Sequence, residues 1–171
     1  MVSMDVVSLH SNIPNEFGIQ AVKKHMIDRN ITNPPPELIS EMLTFILNRN
    51  YFEFNGKFFL QTMGTAMGTM TAPSYANIAM GQIEDNILKQ AEHKPEKWKR
   101  FIDDVRFLWN HGLDKLLLFH EYSNTIHPTI KFTINYSTEK LPFLDTTMIN
   151  ENGKIATTIY TNPTDKHSYL W

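Results

Sequence analysis

The chain has no cysteine, so disulfides and thiolate metal sites are excluded; a reducing compartment is compatible. No stretch approaches the ~18 consecutive apolar residues of a membrane span. The N-terminus shows no basic segment followed by an apolar one, so no signal peptide is expected. An intracellular protein without membrane association is expected, with nucleus or cytoplasm left open. Charge of either sign is also scarce in excess. The 16 Lys and Arg against 18 Asp and Glu leave a net charge of −2. That argues against binding nucleic acid by bulk charge, but leaves room for a local basic face. The seven histidines show no metal-ligand spacing, and no repeat or low-complexity segment appears. What remains is 171 residues, 42% hydrophobic and 20% charged, which suits one compact domain with its own core.

The most informative stretch runs from Arg100 to Trp109, where an apolar segment enters Asp103-Asp104 and another leaves it. Two bare charges about 4 Å apart cost on the order of 4 kcal/mol at an effective dielectric near 20. A hairpin presenting both aspartates to a divalent cation resolves that conflict; a solvated acidic turn is the plainer alternative. Both flanks read as buried strand.

The remaining chain supplies partners. Residues 2–9 are apolar and β-branched, a buried strand holding Asp5, and a carboxylate there needs a partner or a metal. Asn15 is expected to cap a helix reaching about Arg29, with Ile19, Val22 and Met26 on one face. The rows Leu38, Met42, Ile46 and Ile39, Leu43, Leu47 predict a core helix. Asn55-Gly56 between aromatic segments predicts a hairpin. Residues 61–73 place Gly64 and Gly68 among small residues ahead of a helix with the stripe Tyr75, Ala79, Ile83, Ile87. Such a loop lets something approach the backbone closely and suits an anionic ligand. Lys89, Lys94, Lys97, Lys99 and Arg100 form the only concentrated basic stretch, read as a solvated face or a phosphate-backbone contact. Residues 113–122 predict a helix and 130–136 a strand. The segments 143–149 and 154–160 predict a hairpin around Asn150 to Gly153.

The order is a strand with Asp, a glycine loop into a helix, then a hairpin with Asp-Asp. Five ordered blocks resemble a reverse transcriptase, most closely that of Penelope-like retroelements. They are Asp5 to Pro14, Gln61 to Ile78 around Gly64-x-Ala-Met67-Gly68, Arg100 to Val105, Leu141 to Asp145, and Tyr160 to Asp165. The resemblance implies an α+β polymerase palm, a small antiparallel sheet with helices on one face, over residues 1–160. Residues 161–171 are expected to be irregular and to lead toward a thumb.

It also implies RNA-directed DNA synthesis by two Mg²⁺ ions, with Mn²⁺ as a substitute. The partners are an RNA template, a DNA primer and deoxynucleoside triphosphates. Asp5 and Asp103 would be the main metal ligands and Asp104 the supporting carboxylate. The backbone around Val6, Ser8 and Leu9 would lie along the triphosphate, His10 would meet the nucleotide's sugar, and Gly64, Met67 and Gly68 would pack beneath the base pair. Lys97, Lys99 and Arg100 are candidates for the nucleic-acid backbone. His10 stands where the family usually carries Tyr or Phe against the sugar. Most of the fingers and the thumb are missing from the resemblance, so a truncated retroelement product is expected, with those segments or another protein as partners. Two alternatives stay open: an inactive palm remnant that binds nucleic acid or a partner, and a metal-dependent nuclease.

Overall fold

The structure, a computed structural model, describes residues 1–161. It is α+β, built around a four-stranded antiparallel sheet in the order β4-β5-β1-β6. These strands are β1 (Val2–Val6), β4 (Glu96–Phe101), β5 (Asp104–Leu108) and β6 (Phe132–Tyr136). Alternation sorts the two faces. Val2, Met4 and Val6 of β1 are buried with Val105 and Phe107 of β5 and Phe132 of β6. Ser3 and Asp5, which are not buried, share the opposite face with Asp104 and Arg106, their register partners. Burying a ring such as Phe107 contributes roughly 2–3 kcal/mol, and this one also stacks on Trp98 at 5.1 Å between centroids.

The helices share the core cluster with the strands' buried face. They are α1 (Leu9–Asn12), α2 (Asn15–Asp28), α3 (Pro36–Leu47), α4 (Ala72–Gln90) and α5 (Leu113–Ser123). The stripe Tyr75, Ala79, Ile83, Ile87 of α4 is buried as expected, and Ala76 and Met80 widen it. Ile19, Val22 and Met26 bury the matching face of α2. The two helices meet closely at Gly18, where a Cβ would fall 2.0 Å from the Tyr75 hydroxyl. Burial pushes the Tyr75 phenol well above its ordinary pKa.

Three expectations need correction here. Asn15 does not cap α2: Pro14 occupies that position, and the Asn15 side chain instead accepts a bond from Gly64 N at 2.9 Å. Proline ahead of the helix sets its own φ, which frees Asn15 for this tertiary contact. The helix α3 is only half core. Leu43 and Leu47 are buried, while Leu38, Met42, Phe45 and Ile46 stay exposed, because nothing in the described chain covers that row. Phe101 is also exposed, so the strand entering Asp103-Asp104 is an edge strand, not a buried one.

The other two sheets are not hydrogen-bonded into the first. A hairpin of β2 (Tyr51–Phe54) and β3 (Lys57–Leu60) pairs only with itself, and every residue in it is exposed. A three-stranded sheet joins β7 (Lys140–Phe143), β8 (Thr146–Glu151) and β9 (Lys154–Ile159). The expected strand over 143–149 is therefore two strands, split by a turn at Leu144-Asp145. The expected 154–160 strand holds to Ile159. Two hairpins turn on Asn-Gly with both residues at positive φ, Asn55-Gly56 and Asn152-Gly153. Two others turn on an aliphatic residue and Asp, Ile102-Asp103 and Leu144-Asp145, with only the aliphatic residue at positive φ. The block Tyr160 to Asp165 lies mostly outside the described residues.

Candidate active site

The sheet brings two of the expected carboxylates together by register. Asp5 on β1 lies directly opposite Asp104 on β5, so both side chains leave the same face. Asp103 occupies the turn between β4 and β5, and its carbonyl accepts a bond from Val6 N at 3.1 Å. Partial burial raises the Asp5 carboxyl above its ordinary range, and the Asp103 charge raises it further. Asp104 is raised in the same way, by burial first and then by the charges of Asp103 and Asp5. Among the described residues, no Lys or Arg forms an ion pair with any of these three carboxylates. The site is thus an uncompensated concentration of negative charge at one end of a sheet.

The turn that carries Asp103 is strained and clamped. Ile102 has φ of 53°, which costs a β-branched residue on the order of 1–3 kcal/mol. Arg100 holds the turn from behind. Its guanidinium donates to the Ile102 carbonyl at 2.8 Å and to Asn77 Oδ1 at 2.7 Å. Its Nε stands 2.9 Å from Glu84 Oε2 as an ion pair whose side chains are 12% and 13% exposed. Trp98 Nε1 donates to the other Glu84 oxygen at 2.8 Å. Arg100, a candidate for the phosphate backbone, has its two terminal nitrogens donating to Asn77 and to the Ile102 carbonyl. The sequence signal for this was strand alternation, since Trp98 and Arg100 share one face of β4 and Lys99 takes the other.

Around the carboxylates, Val6 and Leu9 are buried, so those two residues offer backbone only. Ser8 takes a left-handed conformation, φ 49°, and its carbonyl accepts from Ser11 N at 3.1 Å and Asn12 N at 3.2 Å. That short turn of helix, α1, is absent from the sequence expectation, which carried the strand through to residue 9. His10 sits in it, with Nδ1 buried and unpartnered while its carbonyl accepts Thr65 N at 2.8 Å.

The glycine loop divides at its middle. Gly64 has φ of +79°, and a Cβ there would fall 2.3 Å from the His10 carbonyl oxygen. Its close approach is therefore to the backbone of α1. Gly68 has open space around it, and Met67 is 86% exposed, so the second half of the loop projects into solvent. Gly64→Ala is expected to cost about 3 kcal/mol, from clash and positive φ together, whereas Gly68→Ala should stay within ~0.5 kcal/mol. Urea unfolding of the two variants measures the contrast, and equal midpoints would contradict it.

Lys97 and Lys99 are exposed on the outer strand β4, where a bulge between Glu96 and Lys99 puts Lys97 at φ 56°. Arg106, register partner of Lys99, was missed in the sequence, although it is two residues beyond Asp104 and so on the same face.

The donor chemistry of Asp5, Asp103 and Asp104 fits a hard divalent cation such as Mg²⁺, which prefers carboxylate oxygen. Their mutual repulsion fits it too. Among the described residues, however, no three His, Asp or Glu side chains are gathered into a ready-made metal cluster. The chain matches none of the protein-family models and no curated protein with which it was compared. Among the described residues no helix is long and apolar enough to cross a membrane.

Proposed function

We propose that this chain is the palm of an RNA-directed DNA polymerase, most similar to the reverse transcriptases of Penelope-like retroelements. The observation that carries the reading is the pairing of Asp5 with Asp104 across the sheet, with Asp103 in the adjoining turn near enough for its charge to raise both, and with no ion-pair partner for any of the three among the described residues. Nucleotidyl transfer needs such a group of carboxylates to hold two Mg²⁺ ions, with Mn²⁺ as a substitute. When bound, those ions supply activation of the primer 3′-hydroxyl and stabilisation of the leaving pyrophosphate. The chain's own part is positional. Asp5 and Asp104 face the same way because strand register demands it, and Arg100 pins the Ile102 carbonyl so that Asp103 keeps its place in the turn. The exposed half of the glycine loop, with Met67 and Gly68, offers a surface to the template–primer pair. Lys97 and Lys99 offer charge to its backbone, and RNA, DNA and a deoxynucleoside triphosphate are the partners.

His10 bears on sugar choice. Imidazole is smaller than phenol, and the buried Nδ1 has a hydrogen bond to give or take. We expect weaker discrimination against ribonucleotides than His10→Tyr shows, read from rNTP and dNTP incorporation side by side. Equal selectivity in the two proteins would sink this point.

Primer extension on an RNA template, with Asp103→Ala alongside, tests the reading. Extension by the natural chain that the variant lacks supports it. Cleavage without synthesis would favour a metal-dependent nuclease. Nucleic-acid binding without either reaction would favour an inactive palm remnant.

A further inference from the structure

The face that carries the carboxylates also carries a cleft, further down β5. About 300 Å³ of space lies between β4–β5 and the three-stranded sheet. Leu108, Met148 and Ile155 line it, and so do Lys97, Lys99 and Arg106. Its size is at the lower end of small-molecule sites, which run from roughly 300 to 1,000 Å³. The lining combines aliphatic surface with three cations and contains no acidic residue.

Among the described residues, none of Lys97, Lys99 and Arg106 forms an ion pair. Among the described residues the Arg106 guanidinium meets soft partners, Met148 Sδ at 3.8 Å and the Phe143 ring with 5.8 Å to its centroid. A half-buried guanidinium normally finds a carboxylate or phosphate, with which it bonds most strongly. Lys99 and Arg106 are register partners, so their stems leave the same face side by side. Lys97 enters the same space because the bulge turns its backbone to positive φ.

We infer that this cleft binds an amphipathic anion, a carboxylate with an aliphatic tail. The head sits between Arg106 and Lys99, and the tail lies against Leu108, Met148 and Ile155. A nucleic-acid strand does not enter the space, which is small and has aliphatic side chains on both walls, so a backbone that engages Lys97 and Lys99 from outside would compete with this ligand for them.

Isothermal titration with decanoate, kept below its micelle threshold, tests this. We expect saturable binding of one molecule per chain, at least tenfold tighter than decyltrimethylammonium. Ile155→Trp fills the cleft from a surface position, and Lys99→Glu reverses one head contact; each should weaken decanoate at least tenfold. Far-UV circular dichroism of both variants should match the natural chain. No saturable binding overturns the inference, and so does equal affinity for the cationic amphiphile. Retention of affinity in either variant also overturns it.

Discussion

Asp103→Ala is expected to lower primer extension on an RNA template by on the order of 10³-fold or more, the loss of several kcal/mol of charge stabilisation in the transition state. Folding should survive. The bond from Val6 N is to the Asp103 carbonyl, which alanine keeps, and Arg100 holds the preceding carbonyl, not the carboxylate. Stability should even rise slightly at neutral pH, because Asp103 is a like charge that raises both Asp5 and Asp104. Activity and stability moving in opposite directions separates a lost ligand from a damaged fold. Thermal unfolding run beside the extension assay reads both. Extension that persists within tenfold of the natural chain would remove Asp103 from the chemistry.

Mg²⁺ should raise the melting temperature at pH 7 by about 5–10 °C when its free concentration is ~100 times its dissociation constant. That follows from roughly 2.7 kcal/mol of linkage and 2–4 °C per kcal/mol for a chain of this size. Proton linkage gives the sign for the metal-free chain. Asp5 and Asp104 have folded-state pKa values raised above the ordinary 3.8. The folded state therefore holds protons that the unfolded chain has already released. Their contribution to stability is fully present below pH 3.8 and is lost as pH rises from there through the raised values. Both groups are partly open to solvent, so screening reduces the effect. A bound divalent cation replaces the missing protons, and its stabilisation grows over the same pH range. Asp104→Asn should flatten the metal-free pH profile. An unchanged melting temperature with Mg²⁺, or an equal gain in Asp103→Ala, would argue against these carboxylates as its ligands.

The sequence made the carboxylates easy to find and their surroundings hard. The apolar, β-branched segment around Asp5 is enough to place it on a strand, and the α4 stripe is plain from its four-residue spacing. Asp104, expected with Asp103 at the tip of the hairpin, is instead the first residue of β5, because its register partner on β1 is Asp5 and no local signal carries that pairing. The Asn-Gly hairpins announced themselves through a residue pair that tolerates positive φ. The Ile102-Asp103 and Leu144-Asp145 turns carry no such signal, because an aliphatic residue at positive φ is unfavourable by itself and is held by long-range contacts. Arg100 illustrates the same limit: its neighbours in sequence are basic, but its partners Glu84 and Asn77 come from α4. Burial of α3 could not be read either. Amphipathic spacing gives the face of a helix but not whether a partner covers it, and the exposed row Leu38, Met42, Ile46 has none among the described residues.

The position of β1 between β5 and β6 has a kinetic consequence. Both of its neighbours come from late in the chain, and the pairing of Asp5 with Asp104 closes a loop of roughly a hundred residues. Such long-range closure comes after local helices and hairpins and slows the search for the native state. The two carboxylates are therefore far apart in a chain that has formed only its local helices and hairpins, and the candidate site is expected to assemble late. A divalent cation held by these carboxylates should then slow unfolding far more than it speeds folding, since they would meet late on the way to the native state.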